Sequence, residues 1–176
     1  QRRVRLAPAV AFDTPNPAVA GTTTSDDFSI WNGSPERYDW KLLGKKEIII
    51  PYNNYEFIFE KKVEDLLGEK FLKPEFTRWE KHRVWIVEGT LKAGQRHLYG
   101  TRRIYVDEDT GLTAITENYD GRDELWKVVL FNNLYDYSGE AYVRRVQIYH
   151  DLRAGAYIAE RLVNDSEPLL YDAAPM

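Results

Sequence analysis

The sequence contains no cysteine among its 176 residues. Without thiols it can form neither a disulfide nor a zinc–thiolate site, and it has no cysteine nucleophile. It also has no apolar run near the roughly 18 residues that a membrane-spanning helix requires, so no such helix is predicted. Its 24 Lys and Arg residues are outnumbered by 28 Asp and Glu residues, a charge balance that is unfavourable for binding a phosphate backbone. We therefore expect no nucleic-acid partner.

Motifs of the common catalytic and nucleotide-binding sites are absent as well. The chain has no Gly-x-Gly-x-x-Gly, no phosphate loop and no Gly-x-Ser-x-Gly, and no nucleophile stands at a recognised spacing from a histidine. The sequence thus predicts a protein that is not an enzyme, with no catalytic residue, no metal and no cofactor.

The residues that are present favour a mainly β domain. Hydrophobic residues make up 43% of the chain, which is enough for a sizeable core. Short turns such as Ala93-Gly94 make successive strands antiparallel neighbours, and one short helix is predicted from Lys61 to Leu67. Alternating segments rich in Val, Ile, Tyr, Trp and Thr predict strands over 40–50, 79–92, 96–107, 112–119, 124–135, 141–150 and 156–163.

A meander with so little helix must cover one apolar face. A strongly curved antiparallel sheet that forms an open half-barrel, with one or a few short helices in its mouth, meets that need. If Ala93-Gly94 is a two-residue turn, Trp85 pairs with Arg102, and if Glu108 to Gly111 is a loop, Arg102 pairs with Glu117. These registers predict one face that lines a ligand site, formed by Trp79, Trp85, Val87, Leu98, Arg102, Ile104, Ile115, Glu117, Trp126 and Val128.

His82 lies on the opposite, more polar face of the predicted sheet. Glu80 and Glu88 stand at even spacings from it, so a metal or acid–base cluster is one interpretation. An ordinary solvated strand face explains the same spacing. The segment from Asp107 to Gly111 has the composition of part of a calcium loop but lacks the ligand spacing of one, so we interpret it as a hairpin turn.

Three stretches of the sequence together resemble a bacterial family of unknown function, domain family 1329. They contain Asp26-Asp27-Phe28 with Asn32 to Leu42, then His82 to Lys92 with Tyr105 to Asp109, and finally Tyr119 to Arg122 with Leu125-Trp126-Lys127. Members of that family are described as outer-membrane lipoprotein-sorting proteins and are grouped with the LolA/LolB-like periplasmic carriers. The resemblance extends over residues 1–163.

The resemblance implies an exported, periplasmic protein of a Gram-negative envelope that holds a lipid or lipoprotein acyl chain inside an open half-barrel. It implies a resistance-nodulation-division transporter or an outer-membrane protein as a further partner, and it carries no catalytic residue. It also implies that residues 1–163 form one domain that lacks upstream strands and an export signal, followed by a polar tail over 164–176.

Two main hypotheses follow. The first is a non-enzymatic periplasmic carrier or chaperone in envelope trafficking, for which each buried methylene of an acyl chain contributes about 0.8 kcal/mol. The alternative is an interaction module, an accessory subunit of an envelope transporter with no ligand of its own, that docks through segment 7–38 and the tail after Asn164. A hydrolase using Glu80, His82 and Glu88 is a third hypothesis, and it requires these side chains to converge in a pocket.

Overall fold

The computed structural model describes residues 11–164, which form a single antiparallel sheet. Each strand pairs with the next along the chain, and within the described residues the first and last strands do not pair, so the sheet stays open. The predicted mainly β, open architecture is confirmed. The strands are β1 (Tyr38–Pro51), β2 (Trp79–Leu91), β3 (Thr101–Asp107), β4 (Thr113–Tyr119), β5 (Leu125–Asp136), β6 (Ala141–Asp151) and β7 (Ala156–Glu160).

The helices are few and short. The α-helix α1 (Val63–Leu66) lies within the range predicted for it and follows a π-helical turn over Glu56–Glu60. A proline begins each of the three 3₁₀ turns, Pro17–Val19, Pro35–Arg37 and Pro74–Phe76, where its missing N–H leaves no hydrogen bond unmade. Among residues 11–164, no helix is both long and apolar enough to cross a membrane.

The sheet is strongly curved. β1 contacts β4 and β5, which are not its neighbours in the sheet, and just beyond β1 the Asn54 N–H donates to the carbonyl of Asn133 on β5, 2.8 Å away. Ile50, Val84 and Ala114, from three different strands, meet in one apolar cluster. We call the concave side that bears them the Val84 face.

The hollow of the Val84 face is filled by the chain itself. The segment between β1 and β2, which contains α1, lays its apolar side chains against β5 and β6. Each buried side chain of this size contributes about 1.5–3 kcal/mol, so this cluster is the main apolar core. Its buried members are Phe57, Ile58, Leu66, Leu72, Leu134, Val146 and Ile148.

The register predicted for the first long hairpin is wrong. Residues 92–100 connect β2 to β3, and Trp85 pairs with Val106 rather than with Arg102. The chain does not enter β3 at residue 96 because it turns inward first, where the Tyr99 N–H donates to Nδ1 of His97 at 2.9 Å. Because the shift is an even number of residues, the side chains of β2 and β3 predicted to share a face still do so.

The second hairpin departs from its prediction in a more consequential way. Arg102 pairs with Asn118 rather than with Glu117, and a bulge interrupts the ladder between Tyr105 and Val106. A slip of one residue transfers every following side chain to the other face. Glu117 and Ile115 on β4 therefore lie on the side opposite to Arg102. We call the side that bears Arg102 the Arg102 face.

Candidate ligand-binding surface

The ten residues predicted to line one face are divided between two. The single-face arrangement is wrong, because of the shifted register of β4, and their role in ligand binding stays a prediction. The Arg102 face carries Trp79, Trp85, Val87, Arg102 and Ile104. The Val84 face carries Ile115, Glu117 and Val128. Leu98 lies in the β2–β3 connection, and Trp126, next to a bulge, donates its indole N–H to Asp151 at 3.1 Å.

Arg102 is the largest fully buried side chain of the described chain, with 1% of its surface exposed. Its Nη2 donates to Oδ2 of Asp26 at 2.8 Å, and its Nη1 donates to Oδ1 of Asp27 at 3.3 Å. Burial alone would raise the pKa of Asp26, but a hydrogen bond from His97 and the charge of Arg102 outweigh it and hold that pKa at about 2. One cation is thus buried between two carboxylates, each of which pairs with it.

The side chains of Tyr99 and His97 provide the remaining contacts of this cluster. The Tyr99 ring lies 4.7 Å from the Arg102 guanidinium, and its hydroxyl donates to Oδ2 of Asp27 at 2.9 Å. Because Nδ1 of His97 accepts the Tyr99 N–H, its proton lies on Nε2, which donates to Asp26 at 3.2 Å. Each buried polar group therefore has a specific partner, as burial demands.

The cluster fastens residues 11–34, which we call the N-terminal cover, onto the sheet. Lys127 adds a second buried cation, whose Nζ donates to the carbonyls of Gly21 and Thr22 at 3.1 and 2.8 Å. Burial lowers the pKa of Lys127. Next to the cover, the ring of Trp40 on β1 lies against Gly89 on β2, where a Cβ added to the glycine would come within 2.6 Å of the ring. The cover thus occupies one end of the Arg102 face in a fixed position.

The part of the Arg102 face formed by β1, β2 and β3 carries exposed apolar side chains. Leu42, Val87 and Ile104 lie side by side on β1, β2 and β3, and the next rung carries Trp85 beside Val106. Toward the far ends of β1 and β2, beyond a band of charged side chains, Ile49 and Trp79 are 63% and 42% exposed. We call these residues the apolar patch: Leu42, Ile49, Trp79, Trp85, Val87, Ile104 and Val106.

A half-open cleft of about 640 Å³ lies between the N-terminal cover and the last strands, within the size range of ligand sites. Pro15, Pro17 and Phe28 form one wall, and Tyr149 and Glu160 form the other. Burial raises the pKa of Glu160. The alternation of polar and apolar residues along the strands could not predict this cleft, because one of its walls is formed by irregular chain.

The three residues of the hydrolase hypothesis do not share one site. Glu88 accepts a hydrogen bond from Nε of Arg103 at 2.6 Å. Nε2 of His82 lies 3.6 Å from Glu80, while its Nδ1 donates to Oδ1 of Asp107 at 3.0 Å. Asp107 begins the segment interpreted as a turn, and that interpretation is confirmed by the hairpin found there. The carboxylate that is hydrogen-bonded to His82 therefore comes from the next hairpin.

Comparison with solved structures defines the class of fold. A Vibrio parahaemolyticus domain, named as an outer membrane lipoprotein-sorting protein domain, is 14% identical with a TM-score of 0.51, over 84% of this chain and 48% of that one. A DUF1329 family protein from Desulfovibrio piger is 18% identical with a TM-score of 0.51, over 78% of this chain and 44% of that one. The open sheet is thus a fold that such proteins share.

The chain belongs to the family described as protein of unknown function (DUF1329), whose model matches residues 1–175. The expected family membership is confirmed. The uncharacterized protein PA3922 of Pseudomonas aeruginosa is 44% identical over 173 residues, which are 98% of this chain and 38% of that protein. The chain therefore spans well under half the length of this relative.

Proposed function

We propose that this chain is part of a non-enzymatic periplasmic carrier that binds a lipid, an acyl chain or the acyl chains of a lipoprotein on the apolar patch. The observation that carries the proposal is the exposure of this patch, on which Leu42 is 57% and Ile49 63% exposed. Exposed apolar surface of this kind is typical of ligand and interaction sites. The fold shared with a domain named for lipoprotein sorting supports a role in envelope trafficking.

Because the hollow of the Val84 face is filled, the two faces are not equally available to a ligand. Phe57, Ile58 and Leu66 already occupy the concave side and are fully buried there. A guest on that side would have to displace core side chains, each contributing about 1.5–3 kcal/mol. A guest on the Arg102 face only has to cover surface that is already in water. We therefore assign the ligand to the Arg102 face.

Charged side chains beside the patch suit an amphiphile. Nζ of Lys45 lies 4.0 Å from the centre of the Trp85 ring and pairs with Glu108. Lys81 forms an ion pair with Glu47 at 3.0 Å. Such cations can hold an anionic headgroup while an acyl chain lies along Val87, and each covered methylene contributes about 0.8 kcal/mol.

Displacement of an environment-sensitive fluorophore by a fatty acid tests the proposal. Trp85→Glu puts a charge in the middle of the patch, so we expect binding at least about tenfold weaker, equivalent to about 1.4 kcal/mol. Phe71→Glu is the matched control, because Phe71 is 55% exposed outside the patch, and it should bind as the wild type does. Equal affinity of the Trp85→Glu and Phe71→Glu proteins would refute the site.

The interaction module is the second candidate, and the edge of β1 favours it. Within the described chain no strand pairs with the outer edge of β1, a long strand whose unpaired groups could accept a partner strand. Leu43, 44% exposed, lies at the bulge of this strand. Purification from the native envelope distinguishes the two: extractable lipid supports the carrier, and a lipid-free complex with a transporter subunit supports the module.

A further inference from the structure

We propose that His82, Asp107 and Asp109 bind a zinc ion at the β3–β4 hairpin. Nδ1 of His82 lies 3.0 Å from Oδ1 of Asp107 and 3.3 Å from Oδ2 of Asp109. One ligand atom from each residue lies within 4.8 Å of the others. The site is on the Val84 face, away from the apolar patch, and it does not depend on the proposed carrier function.

The sheet register brings these residues together. Asp107 pairs with Val84, so His82, two residues earlier on β2, is its diagonal neighbour on the same face. Zinc bonds of about 2.0 Å in a tetrahedron place ligand atoms about 3.3 Å apart. Both distances from Nδ1 of His82 already match that spacing, and the Asp109 side chain, 71% exposed, is free to rotate to complete the third edge.

Asp107 is a buried carboxylate with little positive charge around it. It is fully buried, and in the described part of the chain its only ion-pair partner is His82. Its Oδ2 accepts hydrogen bonds from the N–H and the hydroxyl of Thr110 at 3.0 and 2.6 Å. These bonds fix the carboxylate and leave Oδ1 directed at the imidazole. A metal ion supplies the positive charge that such burial demands.

The imidazole of His82 is held as a metal ligand usually is. The Tyr52 ring stacks on it, with ring centroids 4.0 Å apart, and only 8% of the side chain is exposed. Its Nε2 is buried without a hydrogen-bond partner, yet Oε1 of Glu80 lies 3.6 Å away. With zinc on Nδ1, the proton resides on Nε2 and faces Glu80, which is the carboxylate–histidine–metal arrangement.

The donor set favours zinc over calcium or magnesium. One imidazole nitrogen and two carboxylates suit a four-coordinate zinc ion with water as the fourth ligand, whereas calcium takes six to eight oxygen ligands. The exposure of Asp109 leaves room for that water. The ion would tie β2 to the β3–β4 hairpin, so its expected effect is on stability.

The first test uses the whole chain after dialysis against a chelator. Titration with zinc chloride in a calorimeter should give saturable binding of one ion per chain. Saturating zinc should raise the melting temperature by roughly 5–10 °C, the shift expected when ligand is in 100-fold excess over Kd. Cobalt(II) bound in place of zinc should show the intense visible absorption of four-coordinate cobalt. Adding magnesium or calcium should not abolish this absorption. Absence of saturable zinc binding would overturn the proposal.

Variants separate a built site from adventitious binding. Asp109→Asn, at an exposed position that should not affect folding, and Glu80→Gln should each weaken zinc binding at least about tenfold, as loss of a ligand or of its supporting carboxylate does. Glu108→Gln is the control, because Glu108 is in the same turn but pairs with Lys45 and Arg83. Wild-type affinity in Asp109→Asn, or equal weakening in Glu108→Gln, would show that the assignment is wrong.

Discussion

The largest clusters buried on the two faces of the sheet contain different kinds of side chain. On the Val84 face, Leu134 and Val146 are buried against the segment that contains α1. On the Arg102 face, Arg102 and Lys127 are buried under the N-terminal cover, with Asp26 among their neighbours. Apolar burial is non-directional, whereas buried charges require particular partners in particular places. Both faces therefore stabilise the fold, but the buried charges of the Arg102 face also determine where the cover ends and the apolar patch begins.

Removing the buried cation Arg102 should have the largest effect on stability. Arg102→Met leaves Asp26 and Asp27 buried without their counter-charge, and we expect it to lower the free energy of unfolding by about 3–5 kcal/mol. Urea denaturation followed by tryptophan fluorescence measures this loss. Adding Asp26→Asn and Asp27→Asn to Arg102→Met should recover much of the stability. A stable single variant would show that the cluster does not hold the cover.

Shortening a side chain in the apolar core should lower the free energy of unfolding by a similar or slightly smaller amount than Arg102→Met. Leu66 is fully buried in α1, and Leu66→Ala removes buried methylenes and leaves a cavity that costs about 2–5 kcal/mol. Denaturant unfolding should give a lower midpoint with an unchanged slope. Leu67→Ala, at the adjacent 45% exposed position, is the control and should change stability far less. Similar losses in both variants would contradict the assignment of this face as the core.

Lowering the pH should reduce the stability of the protein, because it protonates Asp26 on the Arg102 face. Its pKa in the folded protein is about 2, below the ordinary value of 3.8, so its contribution is present above about pH 4 and is lost as the pH falls through 2. A shift of this size corresponds to about 2 kcal/mol. Unfolding free energies measured between pH 5 and pH 2 should fall more steeply for the wild type than for Asp26→Asn. Parallel curves would rule out this contribution.

The smallest stability effect is expected at the apolar patch. Leu42→Ser changes a side chain that is 57% exposed, so the free energy of unfolding should change by less than about 0.5 kcal/mol. If the patch binds an acyl chain, fatty-acid affinity should fall in the same variant while the melting temperature stays constant. A large loss of stability would mean that Leu42 is covered in solution.

The contacts between distant segments could not be predicted from local patterns. Asp26 belongs to a stretch used for the family resemblance, but its partner Arg102 is 76 positions away. Pairing the two required the position of the cover, which has no strand periodicity. In the same way, even spacing predicted Glu80 and Glu88 as companions of His82. Glu80 lies 3.6 Å from the imidazole, but the second carboxylate near it is Asp107 from the next strand, not Glu88.

The strands, their antiparallel order and the family could be predicted from the sequence, because alternation, turn residues and long ordered matches are properties of neighbouring residues. The folded structure was needed to show on which face of the sheet each β4 side chain lies, because one bulge reverses that assignment. It also decided that the concave hollow is filled and that charges are buried beneath the cover. Such features depend on contacts between segments far apart in the chain, which no local period encodes.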